Sequence, residues 1–578
     1  MLELLRRYLG PYRGKAAFGM FAKIVEVAFE LLVPVIVASM VDVGVAGHDV
    51  GAIALRGALL IGLALVGFCF TAVCQKMAAL VSQGMGTDLR EASFAKAVEL
   101  SAVDVDRIGP ASLVTRITSD VNQVQLAVAL GIRQLIRWPF LGVGSIVAAL
   151  LIDWRLGLVF LVCTPVIALV FWLVLSHCVP YFRSMQEKLD HISLLVREAL
   201  GGARVVRAFR REEHERERFR EAAASQAADA IASGRLSSLL NPTTLLVMDL
   251  GVVVILWLGG VRVDSGALTQ GKVIAFVNYM TQTLLSIVYI ANLVVVFTRG
   301  AASAQRLVEV LDCEPSVRDD AVDPIEPREG APALELDGVS FAYPGVAVPA
   351  LDGVTLTLAR GGSLGVIGGT GSGKSTLASL IPRLYDASAG SVRVLGRDVR
   401  AYPAAQLRSH VGLVPQKASL VSGTVRSNLL WRKGDAGDDE LWAALATAQA
   451  EDFVRAKEGG LDAVVEAGGK NFSGGQLQRL TIARALVGAP ALVVLDDSAS
   501  ALDLATDARL RSALAHDLAG SARVIVSQRV ASVRGCDQIL VLDHGRPAGL
   551  GTHRELVGGC PLYKEICLSQ LSEKEVLD

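Results

Sequence analysis

The stretch that decides the fold of the second half of the chain is Gly368-Gly369-Thr370-Gly371-Ser372-Gly373-Lys374-Ser375. It follows a short apolar run, Ser363–Ile367, that is typical of a buried strand, and it leads into a helix-patterned segment, Ser375–Leu384. The glycines allow backbone N–H groups to close around phosphate oxygens, and the start of the following helix adds a favourable dipole. The pattern predicts a strand–loop–helix unit in which Lys374 reaches the outer phosphates and Ser375 holds Mg²⁺.

A second apolar strand, Leu492–Leu495, delivers two carboxylates to its end. Asp496 and Asp497 follow it directly, and ligands of open α/β sheets bind at the carboxyl ends of the strands. Asp496 is therefore predicted to hold the Mg²⁺ ion that accompanies the phosphates.

A polar turn, Phe472-Ser473-Gly474-Gly475-Gln476, opens another predicted helix far from the glycine-rich loop. It forms a second helix start that can bind an anion. Because one domain carries two such starts, we expect two copies of the domain to face each other, each closing the nucleotide site of the other.

The first half of the chain is far more apolar. Of the 578 residues, 52% are hydrophobic and 20% charged, and the mean hydropathy of +0.46 is too high for a soluble enzyme of this size. A membrane-spanning helix needs about 20 mostly apolar residues. The sequence predicts six spans: 16–41, 57–75, 138–152, 156–182, 236–261 and 273–298.

Charge indicates orientation and excludes one class of partner. The 56 basic and 57 acidic residues nearly cancel, so binding of a nucleic acid is not expected. Basic residues collect before span one, between spans two and three, and between spans four and five, whereas the loop at 44–51 has no Lys or Arg. Because cytoplasmic loops retain basic residues, both termini are predicted to lie in the cytoplasm.

Composition also sets the domain boundaries. The connections at 84–125 and 181–235 are long and helix-patterned, which predicts that spans two to five continue beyond the membrane. Residues from Cys313 onward are rich in Pro, Asp, Glu and Arg and cannot bury much apolar surface. We expect a membrane domain over 1–312, a linker over 313–332, an α/β domain over 333–571 and a charged tail over 572–578.

With these motifs in this order, nearly the whole chain resembles the ATP-binding cassette (ABC) transporters, in particular half-transporters of the exporter type. The resemblance implies an α-helical membrane domain of six transmembrane helices fused to an α/β P-loop ATP-binding cassette domain. It also implies ATP and Mg²⁺ as ligands, a second half-transporter as partner, and a multi-pass location in the inner (plasma) membrane.

The resemblance assigns roles to individual residues. Tyr343 resembles the aromatic residue that stacks on adenine, Gln416 the Q-loop glutamine and Phe472–Gln476 the signature motif. The ATP-binding positions that it implies are Tyr343, Gly368, Gly371, Gly373, Lys374, Ser375, Thr376, Asp496, Ser473, Gly474, Gly475 and Gln476. The implied Mg²⁺ ligands are Ser375, Gln416 and Asp496. The segments 109–116, with Asp120, and 205–219 resemble the parts of exporters that couple the two domains.

Two positions of the catalytic set formed by Asp497, Gln528 and Gln416 depart from the family pattern. Asp497 stands where the family has a glutamate that polarises the attacking water, so one methylene is missing. Gln528 stands where the family has a histidine that contacts the γ-phosphate, so a positive charge is missing and part of the transition-state stabilisation with it.

With both groups missing, the chain resembles the degenerate-site subunit of heterodimeric bacterial exporters. This resemblance implies a heterodimer in which this chain carries the weakly hydrolytic site and completes the active site of its partner. A homodimeric exporter with slow ATPase activity is the alternative. Two further hypotheses remain. One is an importer built on the exporter fold, as for siderophores, and the other is a membrane-anchored regulator that transports nothing.

Polar residues inside the spans are candidates for the transport path. Lys23, Glu26 and Glu30 share one face of span one and can pair there. Asp249 is predicted either to face a cavity, with Arg133 or Arg137 as neighbours, or to make a contact between helices. The polar positions of span six, either a pore lining or contacts between helices, are Asn278, Gln282, Ser286, Tyr289 and Asn292. The mixture of apolar and polar surface suits amphipathic small molecules or lipids as substrate.

Overall fold

The computed structural model of the protein describes residues 1–319, 323–498 and 502–577. The chain forms two compact units. The first comprises Met1–Val98 and Ala111–Cys313, and we name it the membrane unit. The second comprises Glu99–Pro110 and Glu314–Asp578, and we name it the cassette unit.

Long helices dominate the first 313 residues. They are α1 (Leu2–Tyr8), α2 (Arg13–Ser39), α3 (Val50–Glu99), α4 (Ala102–Ile108), α5 (Pro110–Thr115), α6 (Val121–Gln134), α7 (Arg137–Ile152), α8 (Trp154–Gly201), α9 (Ala203–Ala208), α10 (Glu212–Ser238), α11 (Leu240–Asp264) and α12 (Gln270–Leu311). A 3₁₀ turn at Gly10–Tyr12 precedes α2, and π-helical turns occupy Met40–Val45 and Arg116–Asp120.

Among the residues that the structure describes, six helical stretches are long and apolar enough to cross a membrane. They are Gly10–Val45, Val50–Glu99, Pro110–Ile152, Trp154–Gly201, Glu212–Asp264 and Gln270–Leu311. The six predicted spans are therefore confirmed. At 1.5 Å per residue, α3 with its 50 residues is about 75 Å long, more than twice the roughly 30 Å of a hydrocarbon core, so it extends well beyond the bilayer.

The charged residues of span one pair within the membrane unit. Lys23 Nζ lies 2.5 Å from Glu26 Oε2, as the spacing predicts, and Lys23 is almost fully buried. Glu30 instead accepts from Arg137 at 3.1 Å, and Arg137 also lies 3.6 Å from Glu26. Arg137 is thus engaged by span one rather than by Asp249, which is exposed on α11.

The polar positions of span six divide into two groups. Gln282 accepts a hydrogen bond from Ser145 of α7 at 3.1 Å, and the ring of Tyr289 stacks on Trp138 with centroids 3.9 Å apart. These contacts join α12 to α7. Ser286 is buried, whereas Asn278 and Asn292 are exposed.

The segment 109–116, expected to couple the domains, divides between the two units, with Gly109 and Pro110 in the cassette unit and 111–116 in the membrane unit. Its coupling role stays a prediction. Arg116 donates to the carbonyl of Arg306 at 2.7 Å and approaches Glu309 at 3.2 Å. Arg306 in turn donates to both carboxylate oxygens of Asp120, which is almost fully buried. The part of this connection that groups with the cassette unit lies earlier in the chain, at Glu99–Pro110.

Twelve strands are described in the cassette unit. They are β1 (Leu334–Phe341), β2 (Leu351–Leu358), β3 (Ser363–Gly368), β4 (Ala389–Val394), β5 (Arg397–Asp398), β6 (Val411–Val414), β7 (Gly423–Thr424), β8 (Val464–Val465), β9 (Leu492–Asp496), β10 (Ala522–Val526), β11 (Gln538–Asp543) and β12 (Arg546–Gly551). They form a six-stranded sheet in the order β12-β11-β3-β10-β9-β6, a four-stranded sheet in the order β2-β1-β4-β5, and the β7-β8 pair.

The large sheet is parallel apart from its edge strand β12. Its register places Val526 of β10 beside Val366 of β3 on one side and beside Asp496 of β9 on the other. All residues of β3 and β9 are buried, as expected for strands of a parallel sheet covered on both faces. The chain segments that follow β3, β9 and β10 therefore meet at one edge of the sheet.

The remaining helices cover the sheets. They are α13 (Lys374–Leu380), α14 (Ala404–His410), α15 (Val425–Leu429), α16 (Asp438–Thr447), α17 (Glu451–Arg455), α18 (Gly474–Leu486), α19 (Leu504–Asp517), α20 (Val530–Val533), α21 (His553–Gly559), α22 (Pro561–Gln570) and α23 (Glu573–Leu577). Short 3₁₀ turns lie at Gly460–Asp462 and Ala467–Gly469.

Two of these helices differ from the expectation. The helix expected to run to Leu384 ends at Leu380, and Arg383 just beyond has a left-handed backbone with φ +53°, which a continuing α-helix does not allow. The segment 572–578, expected as a charged tail, contains α23. There Val576 is buried in an apolar cluster with Tyr563 and Cys567.

We expect Arg306→Ala to lower the stability of the membrane unit. The change leaves the buried Asp120 carboxylate without its cation, and since Arg306 itself is half exposed we expect a cost of about 2 kcal/mol, between that of an exposed and that of a buried pair. The measurement is the apparent Tm of the detergent-solubilised protein. The control is Arg299→Ala, an exposed arginine of the same helix, and equal Tm values for the two variants would contradict the prediction.

Candidate nucleotide site

A cavity of about 300 Å³ opens where β3, β9 and β10 end. Its walls come from the glycine-rich loop, the start of α13, and the segments after β6, β9 and β10. The lining residues are Tyr343, Ala350, Thr370, Gly371, Ser372, Gly373, Lys374, Ser375, Thr376, Gln416, Asp496, Asp497, Val526 and Gln528. Ten of the predicted site residues line this one cavity. An eleventh, Gly368, is not part of the lining, but its carbonyl accepts a hydrogen bond from Lys374.

The loop needs glycine at two positions in particular. Gly373 has φ +93°, and a Cβ there would come within 2.3 Å of the Ala350 carbonyl oxygen. A Cβ on Gly368 would come within 2.2 Å of the Leu542 carbonyl oxygen. The backbone therefore approaches its neighbours as closely as only glycine permits, which keeps the loop narrow and its N–H groups close to a bound phosphate.

Lys374 lies inside the loop. Its ammonium donates to the carbonyls of Gly368 at 2.9 Å and of Gly369 at 2.6 Å, and to Ser372 Oγ at 3.3 Å. Burial lowers the pKa of Lys374, while the carboxylates of Asp497 and Asp496 act in the opposite direction. A buried ammonium ringed by neutral carbonyls is a site that favours an anion.

Asp496 and Ser375 form the oxygen-rich side of the cavity. Ser375 Oγ donates to Asp496 Oδ1 at 3.1 Å. Burial raises the pKa of Asp496, the Asp497 charge adds to this, and the hydrogen bond from Ser375 opposes it. A hydroxyl and a carboxylate in contact, with Gln416 in the same lining, are the hard oxygen donors that Mg²⁺ takes, so these residues fit the ion.

The two positions that depart from the family pattern also line the cavity. Asp497 has a left-handed backbone with φ +46°, and its N–H donates to the Val526 carbonyl at 2.9 Å. Gln528 is exposed, and its carbonyl accepts from Gln570 of α22 at 2.8 Å. Both side chains therefore belong to the rim at the ends of β9 and β10.

Tyr343 stands at the other end of the cavity within an aromatic cluster. Its hydroxyl lies 3.0 Å from Thr376 Oγ1. Its ring meets Phe341 edge-on with centroids 4.9 Å apart, and Tyr385 edge-on at 5.7 Å. The sequence reasoning missed Tyr385, because its contact with Tyr343 depends on how the segment after α13 folds back.

The signature residues Ser473–Gln476 are absent from the described lining of this cavity. Ser473 caps α18, accepting from the N–H of Gln476 while the Gln476 side chain accepts from the N–H of Ser473. Ser473 and Gly474 are exposed. This helix start therefore lies on the surface, outside the described lining of the nucleotide site of its own chain.

Comparison with known proteins agrees with this geometry. Residues 16–288 match the model of the ABC transporter transmembrane region, and residues 351–500 match the model named ABC transporter. An uncharacterised ABC transporter ATP-binding protein of Mycobacterium tuberculosis is 38% identical over 99% of this chain and 98% of its own length. The chain belongs to the ABC transporter family.

Other similarities indicate which architecture within the ABC transporter family is present. An ATP-dependent lipid A-core flippase of Chromobacterium violaceum is 30% identical over 98% of this chain and 97% of its own length. The solved structure of a bacterial Atm1-family ABC exporter with ATP bound has the same fold, with a TM-score of 0.78 and 23% identity over 98% of this chain and 99% of that one. The protein is a half-transporter of the ABC exporter type, a multi-pass membrane protein with one ATP-hydrolysing ABC domain, and ABC exporters dimerise in the bilayer.

We expect Gly373→Ala to abolish binding of ATP, because alanine is strained at φ +93° and its Cβ would meet a backbone carbonyl. The measurement is the fluorescence of a labelled ATP analogue titrated with purified protein. The matched control is Gly369→Ala in the same loop, where a Cβ meets nothing within 4 Å. Comparable affinity in Gly373→Ala and wild type would show that this loop does not hold the phosphates.

Proposed function

We propose that this chain is one subunit of a heterodimeric exporter that moves amphipathic small molecules or lipids by alternating access. ATP binds between Tyr343 and the loop around Lys374, with Mg²⁺ held by Ser375, Gln416 and Asp496. The ion would neutralise charge that develops on the transferred phosphoryl group. Hydrolysis at this site is slow, so ATP here mainly holds the two cassettes together.

The observation that carries the proposal is the pair Asp497 and Gln528 on the rim of the cavity. An aspartate side chain is about 1.5 Å shorter than that of glutamate, one C–C bond. A misplacement of about 1 Å at a reacting group can cost on the order of 10²-fold in rate. Gln528 donates a hydrogen bond but brings no positive charge, so both changes weaken the stabilisation of the transition state in the same site.

The exposed signature supports a facing partner. Ser473 and Gly474 lie on the surface at the start of α18, outside the cavity of their own chain. An exposed helix start, with its favourable dipole, suits the γ-phosphate of a second nucleotide. We infer that this chain supplies an intact signature to an active site whose glutamate and histidine belong to the partner.

The orientation and the substrate complete the proposal. The basic residues that precede spans one, three and five support an orientation with both termini in the cytoplasm, because cytoplasmic loops retain basic residues. The relative from Chromobacterium violaceum is named a flippase of a lipid, and the exposed Asn278 and Asn292 on an otherwise apolar span suit a substrate with both polar and apolar parts.

The first test is the ATPase activity of the purified chain alone. We expect wild type to turn over slowly, and Asp497→Glu combined with Gln528→His to raise the rate by about 10²-fold. The control is Asp543→Glu, the same lengthening at the end of β11 and outside the cavity. Brisk hydrolysis by the unmodified single chain would favour the homodimer instead.

Direction is tested by co-expressing the chain with a candidate second half-transporter and preparing inside-out vesicles. Export fills these vesicles with a fluorescent amphiphile when ATP is added, and replacing the partner's catalytic glutamate by glutamine should stop it. Loss of substrate from preloaded vesicles would indicate an importer. An ATPase that never changes substrate distribution would indicate the regulator.

A further inference from the structure

We propose that Tyr385 is a positioning residue that links occupancy of the adenine pocket to α4, through its ring contact with Tyr343 and its hydroxyl contact with Asp106. The inference rests on the proposed function in one respect, since it takes Tyr343 as the residue that stacks on the base. It goes further by naming a residue outside the cavity and the segment to which the contact leads.

On the nucleotide side, three aromatic rings form one cluster. Tyr385 meets Tyr343 at 82° with centroids 5.7 Å apart and meets Phe341 at 58° with centroids 5.5 Å apart. Phe341 and Tyr343 meet at 84° and 4.9 Å. Because each ring lies against both others, a base that stacks on Tyr343 cannot turn that ring without moving Tyr385. Edge-to-face pairs of aromatic rings contribute stabilising free energy beyond that of the apolar surface they bury. The pairs therefore stabilise the positions of the three rings relative to one another.

On the other side, the hydroxyl of Tyr385 donates to Asp106 Oδ2 at 3.2 Å. Asp106 belongs to α4, and Glu99–Pro110 forms part of the cassette unit. Burial raises the pKa of Tyr385 to about 12, and the nearby Asp106 adds to this. The hydroxyl therefore keeps its proton at neutral pH and remains a donor to the carboxylate.

Asp104 fixes the other end of α4. Its side chain is fully buried and accepts from Ser101, which caps the helix, and from the N–H and hydroxyl of Ser316 at 2.8 and 2.6 Å. Burial works against the charged carboxylate, yet these hydrogen bonds together hold the pKa of Asp104 below its usual value. Asp104 thus anchors the first turn of α4, and Asp106, two residues later, carries the contact of this helix with Tyr385.

Packing alone does not explain Tyr385. A phenylalanine would fill the same space against Phe341 and Tyr343, whereas the hydroxyl adds a bond to one residue of one helix. The hydroxyl of Tyr343 is itself bound to Thr376 at the start of α13, so the same ring that receives the base also touches the helix that follows the phosphate loop. Contacts with the base and contacts with the phosphates can therefore both affect the three aromatic rings.

The test is hydrogen–deuterium exchange of the full-length protein in lipid nanodiscs, with and without Mg²⁺ and nucleotide. Two peptides are followed, one covering the phosphate loop at 368–376 and one covering α4 at 101–109. We expect ATP to alter exchange in both. UTP carries the same triphosphate with a smaller base, and it should protect the loop while changing α4 less.

Tyr385→Phe is the decisive variant. The loop should respond to ATP as in wild type, while the ATP-induced change in α4 falls about threefold to tenfold, the size expected for one net hydrogen bond. Asp106→Ala should reproduce this, and the double variant should add nothing further. The control is Tyr402→Phe, which removes a hydroxyl bonded to the Val394 carbonyl elsewhere in the same unit and should leave the α4 response unchanged.

The outcomes separate the two ideas. Absence of loop protection by ATP in wild type would overturn the nucleotide site itself. Loop protection together with a wild-type α4 response in Tyr385→Phe would overturn the role of Tyr385 alone, as would equal α4 responses to ATP and UTP. Because the readout is the difference between nucleotide-bound and free protein, a general loosening of α4 does not imitate it.

Discussion

The side-by-side register of β3, β10 and β9 is the constraint on which the nucleotide site depends. It brings the loop after β3, the carboxylates after β9 and the rim residue after β10 to one edge of a sheet whose central strands are buried. The contact between Ser375 and Asp496 joins residues that are 121 positions apart in sequence. It exists only because β3 and β9 end at the same level along the edge of the sheet. A slip of one residue in β9 would turn Asp496 to the other face and remove the oxygen ligand set.

We propose that the same edge allows one site to bind nucleotide and yet hydrolyse it slowly. In that proposal, phosphate is held by backbone N–H groups and Lys374, which depend on glycines and strand position. Cleavage depends on how closely the side chains on the rim of the cavity approach the reacting groups. At this rim, Asp497 and Gln528 differ from the family pattern. Asp497 also has a left-handed backbone, a conformation that aspartate tolerates better than most residues because its short polar side chain bonds locally. Binding and cleavage can therefore diverge without any change in the fold.

Much of this was predictable from the sequence, for physical reasons that differ by region. Long apolar runs identify spanning helices because a bilayer demands length and apolarity together, and the loop at 368–375 identifies its strand and helix because only glycine tolerates that path. Pairings between distant helices were not predictable. Arg137 engages Glu30 rather than Asp249, and Arg116 packs on α12, because such contacts follow from helix rotation, which hydropathy does not encode. Tyr385 was missed for the same reason, and the early end of α13 at Leu380 follows from a backbone conformation at Arg383 that no periodicity reveals.

Lys374 also bears on the shape of the loop to which it belongs. Its ammonium donates to the carbonyls of Gly368 and Gly369, so one side chain ties together two peptide units of the loop. Removing this lysine would therefore take away a positive charge and, at the same time, the bonds that brace the backbone around it. The effect of such a change reports on the geometry of the loop as well as on electrostatic attraction.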